Sequence, residues 1–202
     1  MSDRERIDYL YQLSRTLCSR QIYKYDPTMI NVFGWDLIVQ KMWSRRHTME
    51  DRALLVMLLT GCRVSEVNTI KVLRIKDEVV ITIDCKKQHK QRVMHIGADS
   101  ALTTLLPITQ AYAIMEPSQK QLSRYLHRNY PELLPGKDFK GHKACHVLRY
   151  MYVAILSECF DLYFKDIQSI MQWSEDDMVE TYLGFLKYIR ATREKRGLTL
   201  EQ

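Results

Sequence analysis

Two arginines in this chain stand in short motifs where packing alone does not account for them. Arg63 follows the apolar run "LLTGC" directly. Arg149 lies in "HVLRY", three residues after His146 and therefore on the same face of a helix. A guanidinium group is planar and always charged, and its fork of N–H donors matches the oxygens of a phosphate. Arg63 is therefore interpreted as the first of several cations that converge on a phosphate.

Three segments of the chain resemble the tyrosine recombinases, the phage-integrase family. "TGCRVSEV" is similar to the family's first box, TGLR-[IV]-SE, and "HVLRY" is similar to its second box, H-x-L-R-[HY]. "VETYLGF" is similar to the segment around the nucleophile. The order and the spacing of the three also match, and the resemblance covers residues 48 to 190.

The resemblance implies a catalytic lysine on a β-hairpin between the two boxes. The family pattern there is close to GKGxKxR, and "KKQHKQR" places the lysine at Lys87. Lys86 and Lys90 are alternatives, because the glycines of that pattern are absent and the hairpin register could slip. Lys86, Lys90 and Arg92 are expected to contact DNA.

The remaining positions of the implied active site are assigned in the same way. They comprise two arginines, an acidic partner of the first arginine, a histidine, a position held by His or Trp in the family, and a nucleophile nine residues further on. In chain order these positions fall on Arg63, Glu66, His146, Arg149, Trp173 and Tyr182.

The implied reaction transfers a DNA phosphodiester to tyrosine. The phenolate of Tyr182 would attack in line, form a 3′-phosphotyrosyl link and release a 5′-hydroxyl, so that neither a cofactor nor a metal is required. Arg63 and Arg149 would stabilise the charge that gathers on the non-bridging oxygens. Lys87 would protonate the leaving oxygen.

The other implied residues have supporting roles. His146 would either orient the phosphate or assist deprotonation of the tyrosine. Trp173 could donate its indole N–H to a phosphate oxygen while packing against the domain. Glu66 would hold neighbouring groups in position by hydrogen bonds.

The function implied by the resemblance is site-specific DNA recombination for a mobile element, by integration and excision or by inversion and resolution. The implied partner is double-stranded DNA, with a homo-tetramer assembled on paired sites. A type IB topoisomerase or a telomere resolvase would use the same active site, and a non-cleaving DNA-binding accessory protein could share the fold. Residues 191–202 form a basic tail that either docks into a neighbouring protomer or frays.

Composition agrees with a nucleic-acid partner. The 202 residues include 30 Lys and Arg against 24 Asp and Glu, a formal net charge of +6, which favours a polyanion. Five cysteines without a C-x-x-C pair indicate neither a disulfide framework nor a zinc ribbon, and "GHKACH" offers His142, Cys145 and His146 without a fourth ligand nearby.

With no signal peptide and no apolar run long enough to cross a membrane, the expected location is the cytoplasm, or the nucleus in a eukaryotic host.

The elements that must position these residues are mostly helical. We predict a mostly α chain with a small antiparallel β-sheet, an α+β fold like the tyrosine recombinase catalytic domain. Residues 1–47 are expected to form a short helical extension without the family's full core-binding domain, and residues 48–190 the catalytic domain.

The local sequence patterns predict the following helices and strands. Helices are predicted over residues 3–20, from "WDLIVQKMW" to Arg45, in "TMEDRALLVMLLTG" with Thr48 as N-cap, and in the short "RVSEVNTIKVL". Residues 79–84 and 92–96 read as paired strands. Further helices are predicted around residues 99–106 and in "PSQKQLSRYLHRNY", "HKACHVLRYMYVAILSECF", "FKDIQSIMQW" and "SEDDMVETYLGFLKYIRATREKRG".

Overall fold

The computed structural model describes residues 36–75, 78–85, 87, 89–97, 102, 105–106, 117–133, 144–158, 163–173 and 182. These residues combine α-helices with one small antiparallel sheet, the α+β class predicted from the sequence. The helices are α1 (Asp36–Ser44), α2 (Met49–Thr60), α3 (Gln119–Asn129), α4 (His146–Glu158) and α5 (Phe164–Met171). The strands are β1 (Lys71–Ile75), β2 (Glu78–Cys85) and β3 (Lys90–Gly97), and 3-10 turns span Val67–Thr69 and Pro131–Leu133.

Helix α2 is the centre of the core and has both of its predicted ends. The Thr48 hydroxyl accepts a hydrogen bond from the Asp51 N–H at 3.3 Å, which satisfies one of the free donors of the first turn. Gly61 ends the helix with φ 63°, the left-handed conformation that glycine adopts without strain. The helix is buried along most of its length and packs against α1, α3 and α4. Local capping signals therefore fixed this element correctly.

Gly61 is also required by the approach of α4. A Cβ atom added at Gly61 would lie 2.3 Å from Cδ1 of Tyr152, a contact that no packed side chain could accept. The missing side chain lets α4 come close to the end of α2. Arg149 of α4 can consequently reach the backbone at this end.

The sheet contains a strand that the sequence analysis assigned to a helix. The short helix predicted in "RVSEVNTIKVL" is wrong: one 3-10 turn is followed by β1, which pairs antiparallel with β2. The hydroxyl of Thr69 donates to the Glu66 carbonyl at 2.7 Å and accepts from the Asp84 N–H at 3.1 Å. These bonds tie the turn to β2, so the helix is not propagated.

The pairing of β2 with β3 confirms the predicted hairpin. The register sets Val79 opposite Ile96 and Ile83 opposite Arg92, and the tip lies between Cys85 and Lys90. One face of β2 is buried in the core, as the alternation of its apolar residues requires.

A buried carboxylate joins the first three helices. Asp51 of α2 is fully buried and accepts hydrogen bonds from the hydroxyls of Tyr125 and Tyr130, and Arg45 lies 3.3 Å from it. Its oxygens are therefore satisfied by charge and by hydroxyl donors, which offsets the cost of burial.

The described part of the predicted N-terminal extension belongs to the same core. Helix α1 lies within residues 1–47, and its Val39 and Met42 are buried with the residues of α2. The helix predicted over residues 3–20 and the tail 191–202 lie outside the described residues. The same holds for the final predicted helix, of which only Tyr182 is described, in helical conformation.

Candidate active site

Six of the predicted site residues meet around the end of α2. Arg63 and Glu66 follow Gly61, the first turn of α4 carries His146 and Arg149, and Trp173 follows the end of α5. Tyr182, from the last part of the chain, contacts Arg149 and Trp173. The contacts that connect these residues run mainly through the Arg149 guanidinium and the Tyr182 ring.

Arg149 is only 2% exposed and is held by two hydrogen bonds and a ring. Its Nε donates to the phenol oxygen of Tyr182 at 3.0 Å, and a terminal N–H donates to the Gly61 carbonyl. Its Cζ atom lies 5.5 Å from the centre of the Trp173 ring, a cation–π distance. The guanidinium is therefore fixed in one orientation.

The phenol of Tyr182 is placed between a donor and a possible base. His146 Nε2 lies 3.2 Å from the Tyr182 oxygen. An arginine N–H can only donate, so the phenol oxygen accepts from Arg149 and its own proton can point to His146. With the His146 proton on Nδ1, the Nε2 lone pair is able to take the phenol proton. This geometry supports the second of the two roles considered for His146.

Two aromatic rings pack on the Tyr182 ring. Trp173 lies 4.6 Å from it between ring centres, with 34° between the planes, and Tyr150 lies at 4.3 Å with 40°. Tyr150 was not among the predicted site residues, although it is the last residue of "HVLRY" and one turn beyond His146, with the two rings 5.9 Å apart. Burial raises the pKa of Tyr150, and so does the neighbouring Tyr182.

Glu66 accepts hydrogen bonds from both the backbone N–H and the guanidinium of Arg63. One carboxylate oxygen accepts from an Arg63 guanidinium nitrogen at 2.7 Å, and the other accepts from the Arg63 backbone N–H at 2.8 Å. The Glu66 side chain is 1% exposed and that of Arg63 is 14% exposed. Glu66 thus holds both the backbone and the side chain of Arg63 at the rim of the group.

A third arginine, Arg92, enters the site from β3. It is 3% exposed, and its guanidinium donates to the Thr60 carbonyl and lies 3.7 Å from the sulfur of Met171. The sequence analysis expected Arg92 to contact DNA from the hairpin. Its Nε–H is buried without an acceptor among the described residues, so Arg92 keeps a free donor inside the domain.

The three arginines make the site strongly cationic. Burial lowers the pKa of Arg149, and repulsion from Arg92 and Arg63 acts in the same direction, against the attraction of Tyr182 and Glu66. Burial also raises the pKa of the neighbouring Cys62 thiol to about 11, so this cysteine stays neutral. A bound anion would relieve the repulsion among the arginines, and a phosphate is the anion whose geometry suits guanidinium donors.

The predicted lysines of the hairpin occupy its exposed end. Lys87 lies in the turn between β2 and β3, beside His89 with a positive φ of 51°, and Lys90 is exposed at the start of β3. Lys86 lies outside the described residues. Lys87 is therefore solvent-exposed, whereas Arg149 and Tyr182 are buried.

The zinc interpretation gains no support from the described residues. His142 lies outside them, and within them no group of three or more His, Cys, Asp and Glu side chains is placed to hold a metal ion. The described helices also include none that is long and apolar enough to span a membrane.

Comparison of the chain with protein-family models, with curated proteins and with solved structures finds no match.

Proposed function

We propose that this protein is a tyrosine-type site-specific DNA recombinase, which cleaves and rejoins DNA through a 3′-phosphotyrosyl intermediate on Tyr182. The fold proposed for residues 48–190 is that of the tyrosine recombinase catalytic domain. The proposed partner is double-stranded DNA, with protein copies assembled as a tetramer on two sites.

One observation carries the proposal. The phenol oxygen of Tyr182 lies 3.0 Å from Arg149 Nε and 3.2 Å from His146 Nε2, and its ring packs on Trp173. The four residues come from three separate segments of the sequence, and they were assigned from motif text and from spacing along the chain. A nucleophile, a base and a cation in mutual contact form the arrangement that covalent phosphoryl transfer needs.

The proposed steps balance without a cofactor. The Tyr182 oxygen loses its proton to His146 and bonds to the phosphorus, while the bond from phosphorus to the 5′-oxygen breaks. Lys87 gives its proton to that leaving oxygen, which becomes a 5′-hydroxyl. Arg149 and Arg63 stabilise the charge on the non-bridging oxygens. Rejoining is the same sequence in reverse, with a 5′-hydroxyl attacking the phosphotyrosyl bond.

The burial of Tyr182 sets a condition on this chemistry. The ring is 2% exposed, and Arg149 already donates to Gly61 as well as to the phenol. These bonds use two of the five N–H groups of the guanidinium, so a scissile phosphate would either bind the remaining N–H groups or exchange the Gly61 carbonyl for a phosphate oxygen. We propose that DNA binding drives this exchange, because a charge-assisted bond to phosphate is stronger than a bond to a neutral carbonyl.

The decisive experiment traps the covalent intermediate. Nicked duplexes taken from the DNA that flanks the gene are incubated with the protein, and denaturing gels then detect protein covalently joined to DNA. We expect an adduct with the wild-type protein and none with Tyr182→Phe. Tyr150→Phe is the matched control, because it removes a hydroxyl from the adjacent ring and leaves the nucleophile in place.

The products distinguish the alternatives. Exchange of strands between two duplexes supports recombination, relaxation of plasmid of arbitrary sequence supports a topoisomerase, and covalently closed ends support a telomere resolvase. Duplex binding without an adduct under any of these conditions would leave the non-cleaving accessory protein. An adduct formed by Tyr182→Phe would refute the assignment of the nucleophile.

A further inference from the structure

A polar cavity of about 380 Å³ opens beside the candidate active site. It lies between the start of β3, which contributes Lys90, and helix α5, which contributes Lys165, Gln168 and Ser169. Gln172 and Trp173, which follow α5, also line the cavity. Of these residues, Trp173 has a proposed role at the active site, and Lys90 was considered as an alternative to Lys87; the other four have no assigned role.

The lining of the cavity suits a phosphate group. Two lysines contribute positive charge, and a hydroxyl and two side-chain amides can donate hydrogen bonds, while the lining residues that the structure describes include no carboxylate. Lys90 and Lys165 are both exposed, and neither ammonium group is paired with another described residue. Both lysines are therefore in contact with solvent.

Trp173 forms a wall that the cavity shares with the site of Tyr182. Its ring lies 4.6 Å from the Tyr182 ring, and the residue is 5% exposed. Its indole N–H is buried without an acceptor in the described part of the chain. An unpaired buried donor costs free energy, and an acceptor from a ligand would recover it. The cavity and Tyr182 thus both adjoin Trp173, the residue that carries this donor.

The wall is held in place by the end of α5. Gln172 adopts the left-handed conformation there, with φ 53°, and its side-chain amide donates to the Gln91 carbonyl of β3 at 3.2 Å. Its carbonyl oxygen is buried without a partner among the described residues. The bond between Gln172 and β3 keeps Lys90 and α5 on opposite sides of the same opening.

We infer that this cavity is a second phosphate subsite, which binds a backbone phosphodiester of the DNA strand that Tyr182 attacks. The identity of the ligand as duplex DNA rests on the proposed function. Successive phosphates of one strand are ~3.4 Å apart along the helix axis, so a strand with its scissile phosphate at Tyr182 carries further phosphates past Trp173. Lys90 and Lys165 bind one of them, which fixes the register of the strand relative to the nucleophile.

The first measurement uses the salt dependence of binding. Affinity for an intact fluorescent duplex is measured at several salt concentrations for the wild type, for Lys165→Gln and for Lys120→Gln. Lys120 is an exposed lysine of α3 that does not line the cavity, so it gives the same charge change elsewhere. Loss of one phosphate contact should make the slope of log K against log salt less negative by about 0.9 in Lys165→Gln. The control should keep the wild-type slope, and thermal melting should be unchanged in both.

The second measurement identifies the phosphate. Neutral methylphosphonate linkages are placed one at a time along each strand, and binding is compared for the wild type and Lys165→Gln in a double-mutant cycle. At one position the neutral linkage should weaken wild-type binding several-fold and leave Lys165→Gln binding unchanged. Additive effects at every position would overturn the subsite.

The outcomes separate this inference from the proposed function. Adduct formation without coupling at any phosphate would refute the subsite and leave the recombinase proposal standing. Coupling without an adduct would keep the subsite and refute cleavage. Absence of duplex binding, combined with a response of the Lys165 ammonium resonance to inorganic phosphate alone, would overturn the assignment to DNA and leave a site for a free anion.

Discussion

Arg149 and Tyr182 are 33 positions apart in the chain, yet Nε of the one and the phenol oxygen of the other are joined by a hydrogen bond of 3.0 Å. Both residues are 2% exposed, so the guanidinium has lost nearly all of its water. Two acceptors, the phenol oxygen and the Gly61 carbonyl, replace part of that hydration. Arg149 therefore both holds Tyr182, the proposed nucleophile, and links α4 to the end of α2.

The two-sided contact of Arg149 predicts the effect of Arg149→Lys. A lysine ammonium is a single charged atom without the planar fork of N–H donors that a guanidinium has. It could donate a well-directed hydrogen bond to the Gly61 carbonyl or to the Tyr182 phenol oxygen, but not to both. We expect adduct formation to fall by about 10²-fold or more, by analogy with the loss of one preorganised donor to a transition state. Single-turnover cleavage of a nicked duplex measures the effect. Cleavage at near wild-type rate would contradict the role of Arg149.

The burial of Arg92 leads to a prediction in which stability and function diverge. Arg92→Met removes one hydrogen bond to Thr60, which costs about 1–3 kcal/mol. It also removes a buried cation that repels Arg149, and burying an unpaired ion costs several kcal/mol. We therefore expect the free energy of unfolding to stay within about 1 kcal/mol of the wild-type value or to rise, while cleavage weakens because the site has lost positive charge.

Urea unfolding and adduct formation test this prediction side by side. Lys71→Met makes the same change on the exposed side of β1 and should alter neither quantity, with stability within about 0.5 kcal/mol. A large loss of stability in Arg92→Met with normal cleavage would assign Arg92 to the fold alone.

The burial of Cys62 predicts a loss of stability at alkaline pH. Burial raises the pKa of this thiol from 9.0 to about 11, so the folded state holds the proton over a range where the unfolded chain releases it. The stabilisation is complete below pH 9 and is lost as pH rises from 9 to 11, at most about 3 kcal/mol at ~1.4 kcal/mol per pH unit. Urea unfolding at several pH values should show a smaller alkaline loss in Cys62→Ala than in the wild type. Equal losses in the two proteins would contradict the assignment.

Local sequence signals were sufficient to predict an element whose ends are set by its own residues. Helix α2 has a capping threonine and a terminal glycine next to an apolar run, and its bounds followed from these alone. The motif text around Arg63 and Arg149 likewise predicted residues that the fold brings together. The roles of those residues stay predictions until the chemistry is tested.

Local sequence patterns did not predict the elements that form by pairing with distant parts of the chain. Strand β1 forms because it pairs with β2, and nothing in "RVSEVNTIKVL" by itself reveals that partner. The alternation of residues along β3 indicates that Arg92 is buried. Arg92 and Met94 lie on one face of the strand, and Met94 is buried, whereas Val93 between them is exposed. Arg92 was expected to contact DNA from the hairpin, whereas the two-residue period of the strand places its side chain inside the domain.

Lys87 presents the opposite case, an exposed residue with a proposed catalytic role. It lies in the turn of the β2–β3 hairpin, outside the contacts that hold Arg149, Tyr182 and His146 together. Loss of activity in Lys87→Ala would not prove general acid catalysis, because removing any charge close to DNA weakens binding. A test of the proton transfer itself is required.

Sulfur in place of the bridging 5′-oxygen provides that test, because a thiolate leaves without being protonated. If Lys87 is the general acid, Lys87→Ala should cleave normal DNA poorly and sulfur-substituted DNA at close to the wild-type rate. Arg149→Lys should stay defective on both substrates, because the charge on the non-bridging oxygens is unchanged by the sulfur. Lys86→Ala and Lys90→Ala are the matched controls for the hairpin register, and both should cleave normal DNA far better than Lys87→Ala. Rescue in one of these two instead would move the acid along the hairpin, and rescue in none of the three would remove general acid catalysis from the hairpin.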